Sequence, residues 1–440
     1  MDIVKFTGAF GMWLINRNEG ERINVVVGRD GRISGLMVNN IIVAVLQALG
    51  INIIDAGLST TPTVEMAVKH CQAHGGVIIT ASHNPFNWNA LKLLNEEGEF
   101  MTKAQGGEMQ RWFDSDELSF VASDKLGKYI VDESLLEMHI EKILDLPLVD
   151  SNAIVAADFK VVVDGINSSG GIAVPVLLHA LGVRNVIEVN CEPSGYFQHN
   201  PEPLPGHLQV LADEVVSSGA AVGFAVDPDV DRLAIVQEDG GFFGEEYTLV
   251  AVADYVLSNT PGNTVSNLSS SQALAEVTIS RNGQHFYAPV GEVNVVNAMK
   301  KHNAVIGGEG NGGVIYPALH YGRDALVGIA LFLTQLAKTG MTCSKLKKQF
   351  PQYHISKNKV ELSDDVNIKG IMEKLVEKYH KHPHDMADGL KIWFDKDWVH
   401  LRASNTEPVI RLYAESDDEM KAENIANKIK NDIGQALKDL

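Results

Sequence analysis

The sequence predicts an α/β protein: three similar α/β modules with mixed, mostly parallel sheets, followed by a smaller C-terminal α+β domain. Two observations carry this. Short β-branched runs alternate with amphipathic helical stretches three times along the chain, the pattern of βαβ units. In the last stretch, strands follow one another directly, with helices set apart.

In the first round, Ile23–Val27 reads as a strand and leads into the loop Gly28-Arg29-Asp30-Gly31-Arg32. Ser34 can cap a helix that runs to about Leu49 and stops at Gly50. Ile51–Ile54 is the next strand, Thr61-Pro62 starts a helix with Pro in its first turn, and Gly76–Ala81 is a strand feeding Ser82-His83-Asn84-Pro85. The second round has strands at Phe159–Val163, Asn185–Asn190 and Val222–Val226, the last ending in Asp227. The third has strands at Thr264–Leu268, near His285–Pro289 and at Val305–Ile306, with a helix from Asn294. Each round ends in a strand that opens into a polar loop. The final stretch places strands at Lys359–Leu362, Leu390–Phe394, Trp398–Arg402 and Val409–Tyr413, with helices near Ile368–Tyr379 and Asp417–Leu437. Linkers are expected in the charged region Asp132–Asp145, at Gly240-Gly241 and around Pro351. The expected units are residues 1–140, 141–242, 243–352 and 353–440.

The chain has 440 residues, a formal net charge of −19, 45% hydrophobic and 21% charged residues. This is an ordinary globular balance and excludes wholesale disorder. The acidic excess argues against nucleic acid as a partner, because phosphates would be repelled. The apolar run Ile41–Leu46 is far too short to span a membrane, and the N-terminus shows no basic segment followed by an apolar one. Cys71, Cys191 and Cys343 are too sparse for a disulfide framework or a zinc knuckle. A cytoplasmic protein is expected. Its oligomeric state is not legible.

Open α/β sheets bind ligands beyond the carboxyl ends of their strands, which is where the three polar loops lie. In Asp227-Pro228-Asp229-Val230-Asp231-Arg232, alternate carboxylates share one side of an extended segment and repel unless a cation sits among them. A calcium loop would have Glu238 at its twelfth position, but Arg232 stands where the sixth needs Gly, and Leu233–Val236 reads as strand. A phosphatase with Asp227 as nucleophile is a third reading. Ser82 ends a strand with its hydroxyl available to a cleft, and His83 and Asn84 can donate to a phosphoryl group. Without context, Ser-His-Asn-Pro is a turn signal. In Gly307–Gly313 the glycines match a dinucleotide-binding spacing, but Val314-Ile315-Tyr316-Pro317 is a poor helix start. Glu309 and Asn311 in that loop suit sugar hydroxyls. In the last domain, Arg402-Ala403-Ser404-Asn405-Thr406-Glu407-Pro408 and Arg411 form a candidate phosphate cradle.

These four stretches, in this order, resemble the α-D-phosphohexomutase family (phosphoglucomutase, phosphomannomutase and phosphoglucosamine mutase) over nearly the whole chain. The resemblance implies four domains around a central cleft. It implies that Ser82 carries a phosphoryl group and that Mg²⁺ is held by Asp227, Asp229, Asp231 and a phosphoserine oxygen. Glu309 and Asn311 would bind the sugar. Arg402, Ser404, Asn405, Thr406 and Arg411 would grip the phosphate that does not react. Lys92, His83 and Arg232 would line the transfer site. The reaction implied moves a phosphoryl group between the 1- and 6-positions of a hexose or hexosamine phosphate through a bisphosphorylated intermediate. Three departures from the family pattern stand out. Members usually begin with a strand carrying a Ser-Gly-Ile-Arg-Gly-like motif, whereas Val4–Leu14 here already reads as the following helix; an N-terminally truncated, weakly active sugar-phosphate binder is therefore the alternative expectation. Gly313 stands where some members have a His, which leaves Lys92, His83 or His320 to handle protons. Asn311 replaces a common Ser, and the Glu-Gly-Asn-Gly-Gly form looks most like the phosphoglucosamine and phosphomannose mutase branches, with phosphoglucosamine mutase slightly favoured.

Overall fold

A computed structural model describes residues 2–115, 118–362, 366–403 and 409–438. Module I contains α1 (Asp2–Arg17), β1 (Asn24–Arg29), α2 (Gly35–Ala48), β2 (Asn52–Leu58), α3 (Thr61–His70), β3 (Gly75–Ile79), β4 (Leu91–Leu94), α4 (Lys103–Ser115), β5 (Tyr129–Val131) and α5 (Leu135–Leu144). Module II contains α6 (Ser151–Ala157), β6 (Lys160–Asp164), α7 (Gly170–Ala180), β7 (Asn185–Val189), α8 (Gln209–Ser218), β8 (Val222–Val226) and β9 (Leu233–Gln237). Module III contains α9 (Glu245–Asn259), β10 (Asn263–Asn267), α10 (Ala273–Ser280), β11 (His285–Ala288), α11 (Glu292–His302), β12 (Ala304–Glu309), β13 (Gly313–Ile315), α12 (Ala325–Thr339) and α13 (Cys343–Lys347). The last unit contains β14 (His354–Glu361), α14 (Ile368–Lys378), β15 (His384–Asp385), β16 (Leu390–Phe394), β17 (Asp397–Ala403), β18 (Val409–Ser416) and α15 (Glu419–Lys438).

The three modules share one strand order. Their sheets run β4-β3-β1-β2-β5, β9-β8-β6-β7 and β13-β12-β10-β11. In each, the first three strands in sequence pair in parallel, and the next strand returns antiparallel beside the third. The loop joining the third strand to its antiparallel neighbour therefore occupies the same topological place three times. Those loops carry Ser82, Asp227–Arg232 and Gly310–Gly312. The last unit is an antiparallel sheet, β14-β18-β17-β16-β15, with α14 and α15 packed on it. This is the mostly parallel α/β architecture with a smaller C-terminal α+β domain that the alternation of elements predicts.

One expectation changes, and two readings set aside in the sequence are excluded by the fold. The charged stretch Asp132–Asp145 is not a linker: α5 buries Leu135, Met138, His139, Ile140 and Ile143 on one face, a helical spacing hidden by its surface carboxylates. The glycines of Gly307–Gly313 lead into strand β13 rather than a helix, so the dinucleotide reading fails. Likewise, strand β9 follows Arg232 directly and removes the calcium loop.

The core of modules II and III is continuous. Its centre is α12, whose residues Ala325–Leu336 are all buried, as expected for a helix apolar all round. Asp324 caps α12 by accepting from the backbone N–H groups of Leu326 and Val327. The N–H of Ala325 donates to the carbonyl of Val230 at 3.2 Å, which ties the start of this rigid helix to the aspartate loop.

Candidate active site

Three loops meet through backbone hydrogen bonds. Thr61 N–H donates to the Asp229 carbonyl at 2.9 Å, and Leu233 N–H donates to the Gly312 carbonyl at 3.1 Å. Gly31 N–H donates to Ser168 Oγ at 2.9 Å, and that hydroxyl donates to the Pro228 carbonyl at 2.7 Å. The Thr61–Asp229, Leu233–Gly312 and Gly31–Ser168 contacts each join two modules, so the loops are fixed by the docking of their sheets rather than by their own sequences.

Ser82 has φ +48°, a left-handed conformation unusual for a residue with a Cβ. A buried scaffold holds it there. Its N–H donates to Thr80 Oγ1 at 2.9 Å, and Thr80 donates to Asp30 Oδ2 at 2.7 Å. Arg32, 1% exposed, pairs through Nε with Asp30 at 2.9 Å. Its two terminal nitrogens donate to the carbonyls of Ser82, Asn84, Pro85 and Trp88. A fork of fixed planar donors suits a loop whose carbonyls all point inward. Sequence reasoning passed over Arg32. The Gly-Arg-Asp-Gly-Arg loop gives no hint that its arginine will reach residues fifty or more positions away.

Ser82 Oγ donates to Asp227 Oδ2 at 2.8 Å and lies 3.4 Å from His83 Nδ1. Asp227 Oδ1 accepts from the N–H groups of Asp231 and Arg232, both at 3.1 Å. The turn depends on Val230, buried at φ +64°, a strained setting for a β-branched residue. Asp227, Asp229 and Asp231 are all 0% exposed, and their ligand atoms lie within 4.8 Å of one another. Lys92 on β4 donates to Asp229 Oδ2 at 2.6 Å and to Asp231 Oδ2 at 2.9 Å. The remaining oxygens, Asp229 Oδ1 and Asp231 Oδ1, are buried without a hydrogen-bond partner. Stranded carboxylate oxygens on two of three converging aspartates fit a hard divalent cation. Burial and the nearby Asp231 and Asp229 push the Asp227 carboxyl well above the usual range. Burial works the same way on Asp231, but Arg323, Lys92 and Arg232 outweigh it and hold that carboxyl well below the range. Burial alone would lower the Lys92 ammonium; Asp229 and Asp231 reverse that and raise it.

A cavity of about 550 Å³ opens beside these loops. His83, Arg232, Glu309, Asn311, Arg402 and Arg411 line it, bringing together candidates from all four units. Arg402 and Arg411 are register partners on β17 and β18, and Arg402 is ion-paired with Asp388 at 2.7 Å. Ser404, Asn405 and Thr406 lie outside the described residues. Burial, with Arg232 nearby, lowers the His83 imidazole to about 4, so it is neutral at neutral pH. Glu309 accepts from Asn267 at 2.8 Å and from Gly291 N–H at 3.1 Å. Burial would raise its carboxyl, but Arg323 and Asn267 hold it below the usual range.

Arg323, also missed, links the loops. It donates to Asp231 at 2.8 Å, to Glu292 at 2.8 Å and to Glu309 at 2.9 Å. The three carboxylates raise its guanidinium pKa against the effect of burial. His320 is not brought into the cavity. Its Nε2 faces Asp324 at 3.3 Å and its Nδ1 faces Glu65 at 3.5 Å.

Residues 2–118, 137–241, 244–353 and 359–431 match, in that order, the family models described as phosphoglucomutase/phosphomannomutase alpha/beta/alpha domain I, domain II, domain III and C-terminal domain. The chain is 36% identical over 423 residues to a "Phosphoglucomutase/phosphomannomutase" of Thermococcus kodakarensis, covering 95% of this chain and 91% of that protein. It is 31% identical over 421 residues to a "Probable phosphoglucosamine mutase" of Methanopyrus kandleri, covering 94% and 91%. Among solved structures, a phosphoglucomutase/phosphomannomutase family protein from Burkholderia thailandensis superimposes with a TM-score of 0.85 at 26% identity, covering 99% of this chain and 93% of that one. Four domain matches in sequence order, a shared fold and relatives matched over nearly their whole length lead to one conclusion: this chain belongs to the phosphoglucomutase/phosphomannomutase family and is a phosphohexomutase, an isomerase.

Proposed function

We propose that this phosphohexomutase acts on glucosamine phosphate, interconverting its 6- and 1-phosphates. The observation that carries this choice is the wall of the cavity. Five glutamates line it together with five cations, and ion pairs with Arg232, Arg323 and Lys357 engage Glu202, Glu245, Glu292 and Glu309, which leaves the Glu246 carboxyl to meet a ligand. Glu246 lies hard against the sugar loop: a Cβ on Gly310 would come within 1.9 Å of its Oε2. Burial pushes the Glu246 carboxyl up to about 8, so a cationic neighbour would stabilise its charged form. A 2-amino sugar offers an ammonium to such a wall, and a neutral hexose does not. The relatives named as probable phosphoglucosamine mutases agree with this choice.

In this reading the unit 1–140 supplies the phosphoryl carrier, 141–242 the metal loop, 243–352 the sugar loop and 353–440 the phosphate grip. Ser82, as phosphoserine, is the donor. The Oγ–P bond breaks as a substrate hydroxyl forms a new O–P bond, and the hydroxyl proton passes to a base, for which the neutral imidazole of His83 is placed. After the bisphosphorylated sugar turns over, Ser82 Oγ accepts the other phosphoryl group. Asp227, Asp229 and Asp231, with a phosphoserine oxygen, would hold Mg²⁺. When bound, that ion supplies Lewis-acid stabilisation of charge on the transferring phosphoryl oxygens. Lys92 and Arg232 add positive charge beside it. Arg402 and Arg411, with Ser404, Asn405 and Thr406, would grip the phosphate that does not react. They must accept two sugar orientations, so they address phosphate rather than ring. Glu309 and Asn311 would meet the ring hydroxyls.

The test is kcat/KM for glucosamine 6-phosphate against glucose 1-phosphate and mannose 1-phosphate, with Mg²⁺ present. We expect at least a tenfold preference for the amino sugar, lost in Glu246→Gln. Equal or better turnover of the neutral sugars would move the assignment to phosphoglucomutase/phosphomannomutase.

A further inference from the structure

Outside the lining of the cavity, a second set of ligand-type side chains meets where α3, α5 and the start of α12 converge. His139 Nε2 lies 2.9 Å from Asp324 Oδ2, and His320 Nε2 lies 3.3 Å from the same oxygen. The two imidazole rings stand nearly perpendicular, at 89°, with centroids 6.2 Å apart. The ligand atoms of the three residues lie within 4.8 Å of one another. His139 and Asp324 are 0% exposed. A tetrahedral site with arms of about 2.0 Å has edges of about 3.3 Å, so these atoms are already spaced close to coordination distance.

The outer nitrogens point to the same conclusion. His139 Nδ1 is 2.9 Å from Thr63 Oγ1, and His320 Nδ1 is 3.5 Å from Glu65 Oε2. Metal-bound histidines characteristically present one nitrogen to the ion and donate N–H from the other to a carboxylate, carbonyl or similar acceptor. Glu65 is the independent sign. It is 2% exposed, yet neither carboxylate oxygen has a hydrogen-bond partner. Gly322 makes room for it, because a Cβ there would meet Oε2 at 1.9 Å. With an ion on the two Nε2 atoms, His320 carries its proton on Nδ1 and turns it to Glu65, giving that stranded carboxylate a partner. One divalent charge then balances Asp324 and Glu65.

We propose that His139, His320 and Asp324 form a second metal site, with Glu65 and Thr63 orienting the two imidazoles, and that it takes a borderline divalent cation such as Zn²⁺ or Co²⁺. Imidazole nitrogens select such ions over Mg²⁺. The site fastens α3 and α5 of module I to the cap of α12 in module III. Thr61, which bonds Asp229, lies on the same turn of α3 as Thr63.

The test uses the full chain, stripped of metal by chelation and titrated with Co²⁺ while visible d–d absorption is followed. An Asp229→Asn background removes an aspartate of the cleft. We expect one Co²⁺ per chain with a tetrahedral spectrum in both parent and Asp229→Asn, displaced by Zn²⁺, and a Zn²⁺-dependent rise in Tm. His320→Gln should lose the spectrum while keeping the metal-free Tm and circular dichroism of the parent. Should that variant fail to fold, Glu65→Gln decides: affinity for Co²⁺ should fall tenfold to a hundredfold. The proposal is overturned if no tetrahedral spectrum develops, if Asp229→Asn abolishes it, or if Glu65→Gln binds Co²⁺ as tightly as the parent.

Discussion

Gly313 and Arg323 occupy one space. A Cβ on Gly313 would stand 2.4 Å from Arg323 Cδ, so the missing side chain on the sugar loop is what lets this guanidinium run through to Asp231, Glu292 and Glu309. The space a side chain at position 313 would need is given over to an arginine ten positions further along the chain. Arg323→Lys keeps the charge but can no longer serve three carboxylates from one plane. It should lower kcat/KM by roughly 10²-fold through misplacement of the aspartate and sugar loops. Gly313→Ala should cost about tenfold by displacing the same side chain. Steady-state kinetics on both variants checks this, and parental rates would show that the link is dispensable.

Arg32 makes a prediction about stability as well as rate. Removing it leaves Asp30 as a buried unpaired charge and strips four carbonyls of the serine loop of a donor. Arg32→Ala should destabilise the chain by about 3–5 kcal/mol, measured by denaturant unfolding. Substrate turnover should fall with it, since Ser82 would lose the scaffold of its left-handed conformation.

His400 should make stability depend on pH. It is 1% exposed, with Nδ1 2.9 Å from Ser269 Oγ and Nε2 2.8 Å from the Asp388 carbonyl, joining β17 to a loop of module III. Burial, with Lys391 adding to it, lowers its imidazole to about 4. An unfolded histidine titrates near about 6.5. Between these two values the unfolded chain binds more protons than the folded one, so the contribution of His400 is whole above about 6.5 and is lost as pH falls toward about 4. At pH 5 the loss is about 2 kcal/mol. Unfolding of the parent and of His400→Asn at pH 7 and at pH 5 should show a shallower acid slope in the variant. Equal slopes would contradict this.

What the sequence discloses and what it hides follow from the range of the interactions. Strands such as Val222–Val226, and the polar loops after them, are legible because β-branched runs and clustered polar residues are local signals. Helix α12 is not, because Ala325–Leu336 is buried on every side and has no periodic face to read. Strand β4 escapes notice because Leu91–Leu94 is short and gains its identity by pairing with β3. At the site, Ser82 and the three aspartates stand out by residue type and spacing. Arg32, Arg323 and His139 do not, since each acts on partners far away in the chain, and His139 sits in a stretch whose carboxylates suggest a linker.

The 2.8 Å contact between Ser82 Oγ and Asp227 Oδ2 puts the hydroxyl at the edge of the aspartate cluster, where phosphoryl transfer through Ser82 requires it. Peptide mass spectrometry of the chain before and after one equivalent of glucosamine 6-phosphate tests it most directly. Phosphate should be found on Ser82 and should pass to the sugar as a bisphosphate, with no transfer and no turnover in Ser82→Ala. Phosphate on Asp227 instead, or unimpaired turnover by Ser82→Ala, would contradict it.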